Sequence, residues 1–213
     1  MTSAPFRFGM LIAGSLLLGA CATMQPVSPP QSVEREELSS ALVTMQDWGL
    51  IGRIAVKHDD GGGQGKLRWQ QEAATARISL SGPLGIGASE ILWEPRQVTF
   101  RQGNEEASEL YTGANAAEQF LESRLGWNLP VSSIRFWVRG IPDPDFAFEE
   151  DYDETGGLTQ IRQRGWQISY KQYVNVSGWL LPSKLDVLND SVRLRLIADE
   201  WLVPPRAVRS GPE

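Results

Sequence analysis

Few side chains in this chain could do nucleophilic or metal chemistry, because it contains a single cysteine, Cys21, and a single histidine, His58. A zinc site built from Cys and His needs three or four such ligands, so this composition excludes one. One cysteine also excludes an intramolecular disulfide. Any Ser-His-Asp or Cys-His mechanism would have to use His58, which precedes Asp59 and Asp60. A solvated strand end beside a Gly-rich turn accounts for His58 better, and we predict no catalytic residue.

Three stretches resemble binding motifs but fail the spacing that their chemistry requires. Residues 61–67 approach a phosphate loop, but the first Gly is one position too near and Leu follows the Lys. Residues 85–90 begin a dinucleotide fingerprint and have Glu where its third Gly belongs. The acidic run from Asp143 to Glu154 offers oxygen ligands for calcium without EF-hand spacing, so a solvated acidic loop is the preferred interpretation. We therefore predict no metal and no cofactor.

Charge and composition narrow the class of protein. The chain has 26 acidic and 20 basic residues and a net charge of −6, which argues against a general nucleic-acid binder. Its 213 residues suffice for one domain or two. With 41% apolar residues, the 21 Gly and 13 Pro fit many short strands joined by turns better than a disordered chain.

The start of the chain has the layout of a secretory signal. Phe8–Leu18 is an apolar run after Arg7, too short to span a bilayer, which takes about 20 apolar residues. It ends in Leu-Gly-Ala-Cys at positions 18–21, which resembles the lipobox of bacterial lipoproteins, where cleavage precedes the Cys and its thiol and amine are acylated. We predict a cleaved signal peptide at 1–20, a lipidated tether at 21–32 and lipid attachment at Cys21. The alternative is an ordinary secreted protein in which this Cys occurs by chance. The residue after Cys21 is Ala22 rather than Asp, and this favours localisation to the outer membrane over retention in the inner membrane.

Three segments have the apolar spacing of helices. The first is Val33–Met45, with acidic residues in its first turn. The second follows Asn115, in a sequence that resembles a capping box, and ends at Gly126, which is well placed as a C-cap. The third follows Pro130 and ends near Gly140.

Alternating apolar and polar residues predict strands from Trp48 to Phe100 and from Leu158 to Ile197, with turns at 59–65 and 189–190. Short strands in meander order predict one curved antiparallel sheet, whose apolar face the helices must cover. The pattern leaves open whether a solid core or an apolar cavity fills the space between sheet and helices.

The turn at Ser81–Gly87 differs from the others because its tip is apolar. It contains three Gly and one Pro around Leu84 and Ile86. Loop tips are usually polar, so this composition suggests contact with a membrane or a partner. The alternative is that Leu84 or Ile86 folds back into the core.

A set of short motifs occurs in a recognisable order over about residues 48–203. The motifs are Gly52-Arg53, Trp69-Gln70, Gly82-Pro83-Leu84-Gly85, Leu129-Pro130-Val131, the run from Trp137 to Pro142, Gly165-Trp166 with Tyr170, Leu181-Pro182, and Val192 to Trp201. No motif is specific alone, but the ordered set with the lipobox resembles the LolB family of outer-membrane lipoprotein receptors. The resemblance implies a mainly β fold with helices (α+β), an incomplete antiparallel β-barrel of one curved sheet that is covered by helices and encloses an apolar cavity.

The resemblance also implies a function and its partners. Such a protein is not an enzyme: it accepts acylated lipoproteins from the periplasmic carrier LolA and inserts them into the inner leaflet of the outer membrane without ATP. It would be a monomer, lipid-anchored to the outer membrane and facing the periplasm, with one domain at 33–205 and a flexible tail at 206–213. Leu84 matches the apolar residue of the family's membrane-insertion loop, which here comprises Pro83, Leu84, Gly85 and Ile86.

Six side chains are candidates for lining an acyl-chain cavity, although ordinary core packing explains each of them equally well. They are Trp69, Leu80, Ile91, Trp137, Trp166 and Tyr170. A hypothesis from another class is a lipid-anchored periplasmic structural or assembly protein that binds a partner protein through its apolar face. A solid core without a cavity would favour that alternative.

Overall fold

The fold is that of a computed structural model, which describes residues 26–27, 32–59, 61–82, 87–103, 107–126 and 129–206. The predicted signal peptide, Cys21, loop residues 83–86 and tail residues 207–213 lie outside the described residues. Within the described ranges, no helix has both the length and the apolar character needed to cross a membrane.

Three helices and twelve strands form the described part of the chain. The helices are α1 (Ser32–Thr44), α2 (Ala116–Leu125) and α3 (Val131–Trp137). The strands are β1 (Pro26–Val27), β2 (Asp47–His58), β3 (Gly61–Glu72), β4 (Thr75–Ser81), β5 (Ser89–Glu94), β6 (Gln97–Gln102), β7 (Glu109–Thr112), β8 (Phe148–Tyr152), β9 (Leu158–Gln163), β10 (Trp166–Val176), β11 (Trp179–Leu188) and β12 (Val192–Leu202).

All of these strands belong to one antiparallel sheet that curves without closing. Along the sheet the order is β7-β6-β5-β4-β3-β2-β12-β11-β10-β9-β8, and the short β1 also pairs with β10. The first long strand, β2, pairs with the last strand, β12. This pairing joins the strands β2–β7 and the strands β8–β12 into one sheet. The predicted incomplete barrel is confirmed, with β7 and β8 as its unpaired edges.

Glycines that the sequence assigned to a hairpin loop belong to a strand instead. The pattern predicted a turn over residues 59–65, but β3 begins at Gly61 and pairs with β2 from there onward. The prediction was wrong because Gly62 and Gly65 permit close packing against the backbones of neighbouring strands. A Cβ at Gly62 would lie only 2.5 Å from the carbonyl oxygen of Val56.

The helices lie close to their predicted positions, but one predicted cap is wrong. The side chain of Asn115, which precedes α2, makes no capping hydrogen bond, so the capping box does not form. The other end of α2 is as predicted. Gly126 adopts the left-handed conformation, with φ of 71°, and its N–H donates to the carbonyl of Glu122.

Two buried arginines fix α1 against the rest of the fold. Arg35 in α1 forms an ion pair with Glu150 of β8. At the C-terminal end of α1, Arg139 donates to the carbonyl oxygens of Leu42, at 2.6 Å, and Met45, at 2.9 Å; the Leu42 carbonyl also accepts from the Met45 N–H. Burial lowers the pKa of Arg139 to about 10, so this side chain stays charged at neutral pH.

The acidic run is only in part the solvated loop that was predicted: Asp145, Asp153 and Glu154 are exposed and lie outside the strands, whereas the other acidic residues belong to β8 or are buried. In β8, Glu149 and Asp151 accept hydrogen bonds from Arg162 on β9. Asp143 is only 1% exposed and accepts a hydrogen bond from the Ser133 hydroxyl at 2.6 Å. Arg162 neutralises the carboxylates of Glu149 and Asp151, and alternation along a short edge strand does not reveal this partner on the neighbouring strand.

Candidate functional site

A cavity of about 780 Å³ lies between the concave face of the sheet and the helices α2 and α3. Alternate side chains of β2 to β6 and of β12 face it, because successive residues of a strand point to opposite faces. The sheet contributes, among others, Ile54, Leu67, Ile78, Leu80, Ile91 and Leu196, and the helices contribute Phe120, Leu121 and Ile134. The lining of the cavity is thus predominantly aliphatic and aromatic.

Several apolar side chains around this cavity are only partly buried. Ile78, Leu80 and Ile91 belong to this group, although each lies on the concave face of a central strand. In contrast, Ile161 and Leu185, in the other half of the sheet, are 0% exposed. The interior therefore has two halves, an open cavity beneath β2 to β6 and a packed core beneath β8 to β12. Both possibilities that the sequence left open are present.

A cluster of tryptophans forms the closed end of the cavity. The rings of Trp48 and Trp69 lie 5.2 Å apart between centroids, and those of Trp48 and Trp201 lie 5.8 Å apart. The guanidinium of Arg139 lies 5.5 Å from the Trp48 ring, and its hydrogen bonds hold the end of α1 there. Trp69 lines the cavity, and Trp48 and Trp201 pack behind it as buried side chains.

The opposite end of the cavity is its mouth and is more polar. His58, Gly63 and Gln64 lie there, where β2 turns into β3. Gly82 and Gly87 also line the cavity at this end. Although residues 83–86 themselves are not described, the two glycines that flank the predicted insertion loop therefore lie at the mouth.

Arg124 of α2 is a mouth residue that sequence reasoning missed. It lines the cavity, its guanidinium lies 4.8 Å from the centroid of the Phe100 ring, and it pairs with Glu109 of β7. The available signal was its position four residues after Phe120, on the same helical face. Its charge places a polar group where the apolar lining meets solvent.

Three of the six predicted cavity residues line this space: Trp69 at the closed end, and Leu80 and Ile91 on neighbouring strands. The structure places the other three, Trp137, Trp166 and Tyr170, outside the lining and within the buried core.

Hydrogen bonds explain why Trp137 and Tyr170 lie in the packed half. The indole N–H of Trp137 donates to the side-chain oxygen of Gln163 at 2.7 Å. The Tyr170 hydroxyl donates to the Trp137 carbonyl at 3.0 Å. Aromatic side chains with such buried polar partners are fixed in place. The residue types alone could not reveal whether these side chains line the cavity or lie in the packed half of the interior.

The volume of the cavity matches that of long hydrocarbon chains. A dry cavity of about 150 Å³ holds benzene, which corresponds to roughly 25 Å³ per carbon atom. At that ratio, the 780 Å³ cavity would hold about 30 carbon atoms, or roughly two long acyl chains. Among the described residues, no group of three or more His, Cys, Asp or Glu side chains could hold a metal ion.

Comparisons with known proteins agree with this geometry. The family described as outer membrane lipoprotein LolB matches residues 46–201. The outer-membrane lipoprotein LolB of Nitrosococcus oceani is 34% identical over 198 residues, covering 92% of this chain and 96% of that protein. The outer-membrane lipoprotein LolB of Chromohalobacter salexigens is 32% identical over 204 residues, covering 94% and 92%.

A solved structure resembles the fold at low sequence identity. It is a DUF1329 family protein from Desulfovibrio piger, with a TM-score of 0.50 and 6% identity, covering 83% of this chain and 92% of that one. At this identity, the likeness concerns the fold alone.

Proposed function

Because the chain belongs to the LolB family of outer-membrane lipoproteins, we propose that it is a receptor that holds the acyl chains of other lipoproteins and releases them into the outer membrane. The observation that carries this proposal is the cavity of about 780 Å³, which is lined by apolar side chains that are only partly buried. Apolar surface that faces an open space is favourable to cover with hydrocarbon.

The energetics of acyl chains explain why a receptor is needed. Each methylene costs about 0.8 kcal/mol when it is exposed to water, so several long chains cost tens of kcal/mol. A cavity lined by aliphatic and aromatic groups can shield such chains without specific polar contacts. Chains held in this way can leave for a bilayer, which offers them an equally apolar environment.

The direction of transfer follows from relative affinities. In this proposal the protein receives its cargo from the soluble periplasmic carrier LolA and passes it to the membrane, because each step lowers the free energy of the acyl chains. No nucleotide and no catalytic group is required, so the proposed activity is not enzymatic. Lipid attachment at Cys21 would keep the receptor beside the acceptor bilayer.

The loop of residues 83–86 is the proposed point of membrane entry. Its flanks, Gly82 and Gly87, lie at the cavity mouth, which supports a role in guiding chains from the cavity into the bilayer. Burial of a leucine side chain stabilises by about 1.5–3 kcal/mol, so Leu84 would promote insertion of the loop by roughly 10- to 100-fold.

A transfer assay tests the proposal with matched substitutions. A carrier–lipoprotein complex is mixed with outer-membrane vesicles that contain the lipidated protein, and arrival of cargo in the membrane is followed. We expect Leu84→Glu to accept cargo and to deliver it at least tenfold more slowly. The control is Leu110→Glu, since Leu110 on β7 is 59% exposed and outside the cavity lining. Normal delivery by Leu84→Glu would contradict the role of the loop, and no transfer by the unmodified protein would contradict the receptor function.

The alternative of a structural protein that binds a partner through an apolar face predicted a solid core. The open cavity beneath β2 to β6 favours the receptor instead.

A further inference from the structure

The convex face of the sheet carries a basic patch, although the net charge of the chain is −6. The basic patch consists of six exposed side chains on three neighbouring strands, β3, β2 and β12. They are Arg53, Lys57, Lys66, Arg68, Arg193 and Arg195. They alternate with residues such as Ile54 and Val56 that line the cavity, so they point away from it.

The register of the strands brings like charges together within this patch. Arg53 lies opposite Lys66 across β2 and β3, and Lys57 lies opposite Arg193 across β2 and β12. Like charges directly opposite each other on one face destabilise a sheet. Stability of the isolated fold therefore does not account for this arrangement, and a bound anion would remove its cost.

Some of the positive charge has no acidic partner among the described residues. Arg53 pairs with Asp199, at 2.7 Å, and Arg195 pairs with Asp186, at 2.6 Å. Within the ranges that the structure describes, the other four members of the basic patch form no ion pair, and all four are exposed: Lys57, Lys66, Arg68 and Arg193.

The basic patch adjoins the stem of the predicted insertion loop. Lys66 lies opposite Ser81, the last residue of β4 before that loop. A surface depression of about 470 Å³ is lined by Arg53, Lys66 and Arg195 and extends to Gly82. An anion bound in the depression would therefore lie next to the base of the loop.

The tether enters the sheet on the other side of the same patch. Pro26 of β1 pairs with Val174 of β10, and β11, β12, β2 and β3 separate β10 from β4, which carries the loop. The five residues from Cys21 to Pro26 can span at most about 18 Å. An acylated Cys21 would therefore hold the β10 side of the sheet near a membrane while the loop approaches it from the β4 side.

We propose that the basic patch binds the anionic headgroups of membrane phospholipids, so that the protein lies with this part of its convex face on the bilayer. The inference rests on the proposed function, since it takes the anchor and the loop as membrane contacts. The turns at the mouth end carry Asp59 and Asp190, so an approach by the tips alone would bring carboxylates to an anionic surface. Contact through the face brings the basic side chains there instead.

Chemical labelling of lysines tests the contact directly. The lipidated protein is anchored in vesicles of phosphatidylcholine alone or with one-third phosphatidylglycerol, and an amine-reactive reagent is added. We expect Lys57 and Lys66 to react at least fivefold more slowly in the anionic vesicles. The protection should disappear in 1 M salt, where the Debye length is only about 3 Å. Equal labelling in both vesicle types would overturn the proposal.

A pair of substitutions tests the patch without removing the labelled lysines. Arg68→Gln with Arg193→Gln removes two charges, each of which contributes about fivefold to association with an anionic surface, so association should weaken by up to about 25-fold and the labelling rates of Lys57 and Lys66 should rise toward those in neutral vesicles. The control combines Arg96→Gln with Arg162→Gln, two exposed arginines outside the patch, and should keep the protection. Equal protection in the two double variants would overturn the assignment.

The rate of cargo delivery distinguishes a failure of the basic-patch proposal from a failure of the proposed receptor function. We expect the unmodified protein to deliver lipoprotein faster to anionic vesicles, and the Arg68/Arg193 variant to show a smaller difference between the two vesicle types. Delivery that is insensitive to phosphatidylglycerol in the unmodified protein would overturn the patch but not the receptor. Protection of Lys57 and Lys66 by a soluble acidic protein, but not by anionic lipid, would also overturn the lipid assignment.

Discussion

Narrowing the cavity from within should weaken acyl-chain binding by an amount that its volume predicts. Leu80 on β4 is half-buried and lines the cavity. Substitution of Leu80 by Trp adds about six heavy atoms, which occupy roughly 150 Å³ by comparison with a benzene-sized cavity. This is about a fifth of the 780 Å³ available.

The lost volume converts into a free energy of binding. About six methylenes of a bound chain would be displaced into water at about 0.8 kcal/mol each, so Leu80→Trp should cost up to about 5 kcal/mol, or three orders of magnitude in affinity. Partial adjustment of the open mouth makes this an upper limit. Affinity would be measured by titrating into the protein a fluorescent lipid with two sixteen-carbon chains, whose roughly 32 carbon atoms would fill the cavity.

A matched control uses the same substitution on the other face of the sheet. Leu92 lies between Ile91 and Trp93, which line the cavity, so its side chain points outward. Leu92→Trp should bind this two-chain lipid as the unmodified protein does, and thermal unfolding would verify that both variants fold. If folded Leu80→Trp binds within about threefold of the unmodified protein, the cavity does not hold the acyl chains.

Other expected outcomes concern the fold around the site. Gly52→Ala should lower the free energy of unfolding by at least about 2 kcal/mol in urea titrations, because its Cβ would lie 2.1 Å from a backbone oxygen of β12, whereas Gly63→Ala, with nothing within 4 Å, should change it little. Arg139→Met should cost about 1–3 kcal/mol, because the buried Met45 carbonyl loses this donor and the Leu42 carbonyl keeps only the Met45 N–H, and hydrogen exchange should show faster exchange in α1. Hydrogen bonds from Arg195 lower the pKa of Asp186 below 3.8, so the stability that Asp186 adds is present above that value and is lost as the pH falls through its folded pKa. The difference in unfolding free energy between the unmodified protein and Asp186→Asn should therefore shrink between pH 5 and pH 2, and a difference independent of pH would contradict the assignment.

Alternation along the chain was enough to predict most strands and the face that each buries. The segment from Val192 onward alternates so regularly that β12 could be placed from its residues alone. Prediction from alternation failed where a structural feature depends on residues in another part of the chain. The sequence predicted a solvated loop for the acidic residues of β8, because their partners, Arg35 and Arg162, are distant in sequence. It also predicted a turn for the first residues of β3, because the close neighbours of Gly62 and Gly65 belong to the adjacent strands β2 and β4.

The prediction of cavity residues shows the same division. Side-chain chemistry identified aromatic and aliphatic candidates, and Trp69, Leu80 and Ile91 do line the cavity. Trp137 and Tyr170 have equally suitable chemistry and lie in the packed half. Ile54 and Leu196 also line the cavity. The sequence predicted their strands, but it did not indicate which part of the sheet the helices leave open.

The sequence by itself determined the scarcity of reactive groups, the lipobox-like pattern that ends at Cys21, the apolar composition of residues 81–87 and the antiparallel sheet. These properties depend on residue type and local spacing, which a linear pattern retains. Only the tertiary structure decided that the interior is part cavity and part solid core, and that basic side chains from three strands meet on one convex face. The physical reason is that packing and charge density depend on which distant segments become neighbours, and pairing of β2 with β12 joins residues more than a hundred positions apart.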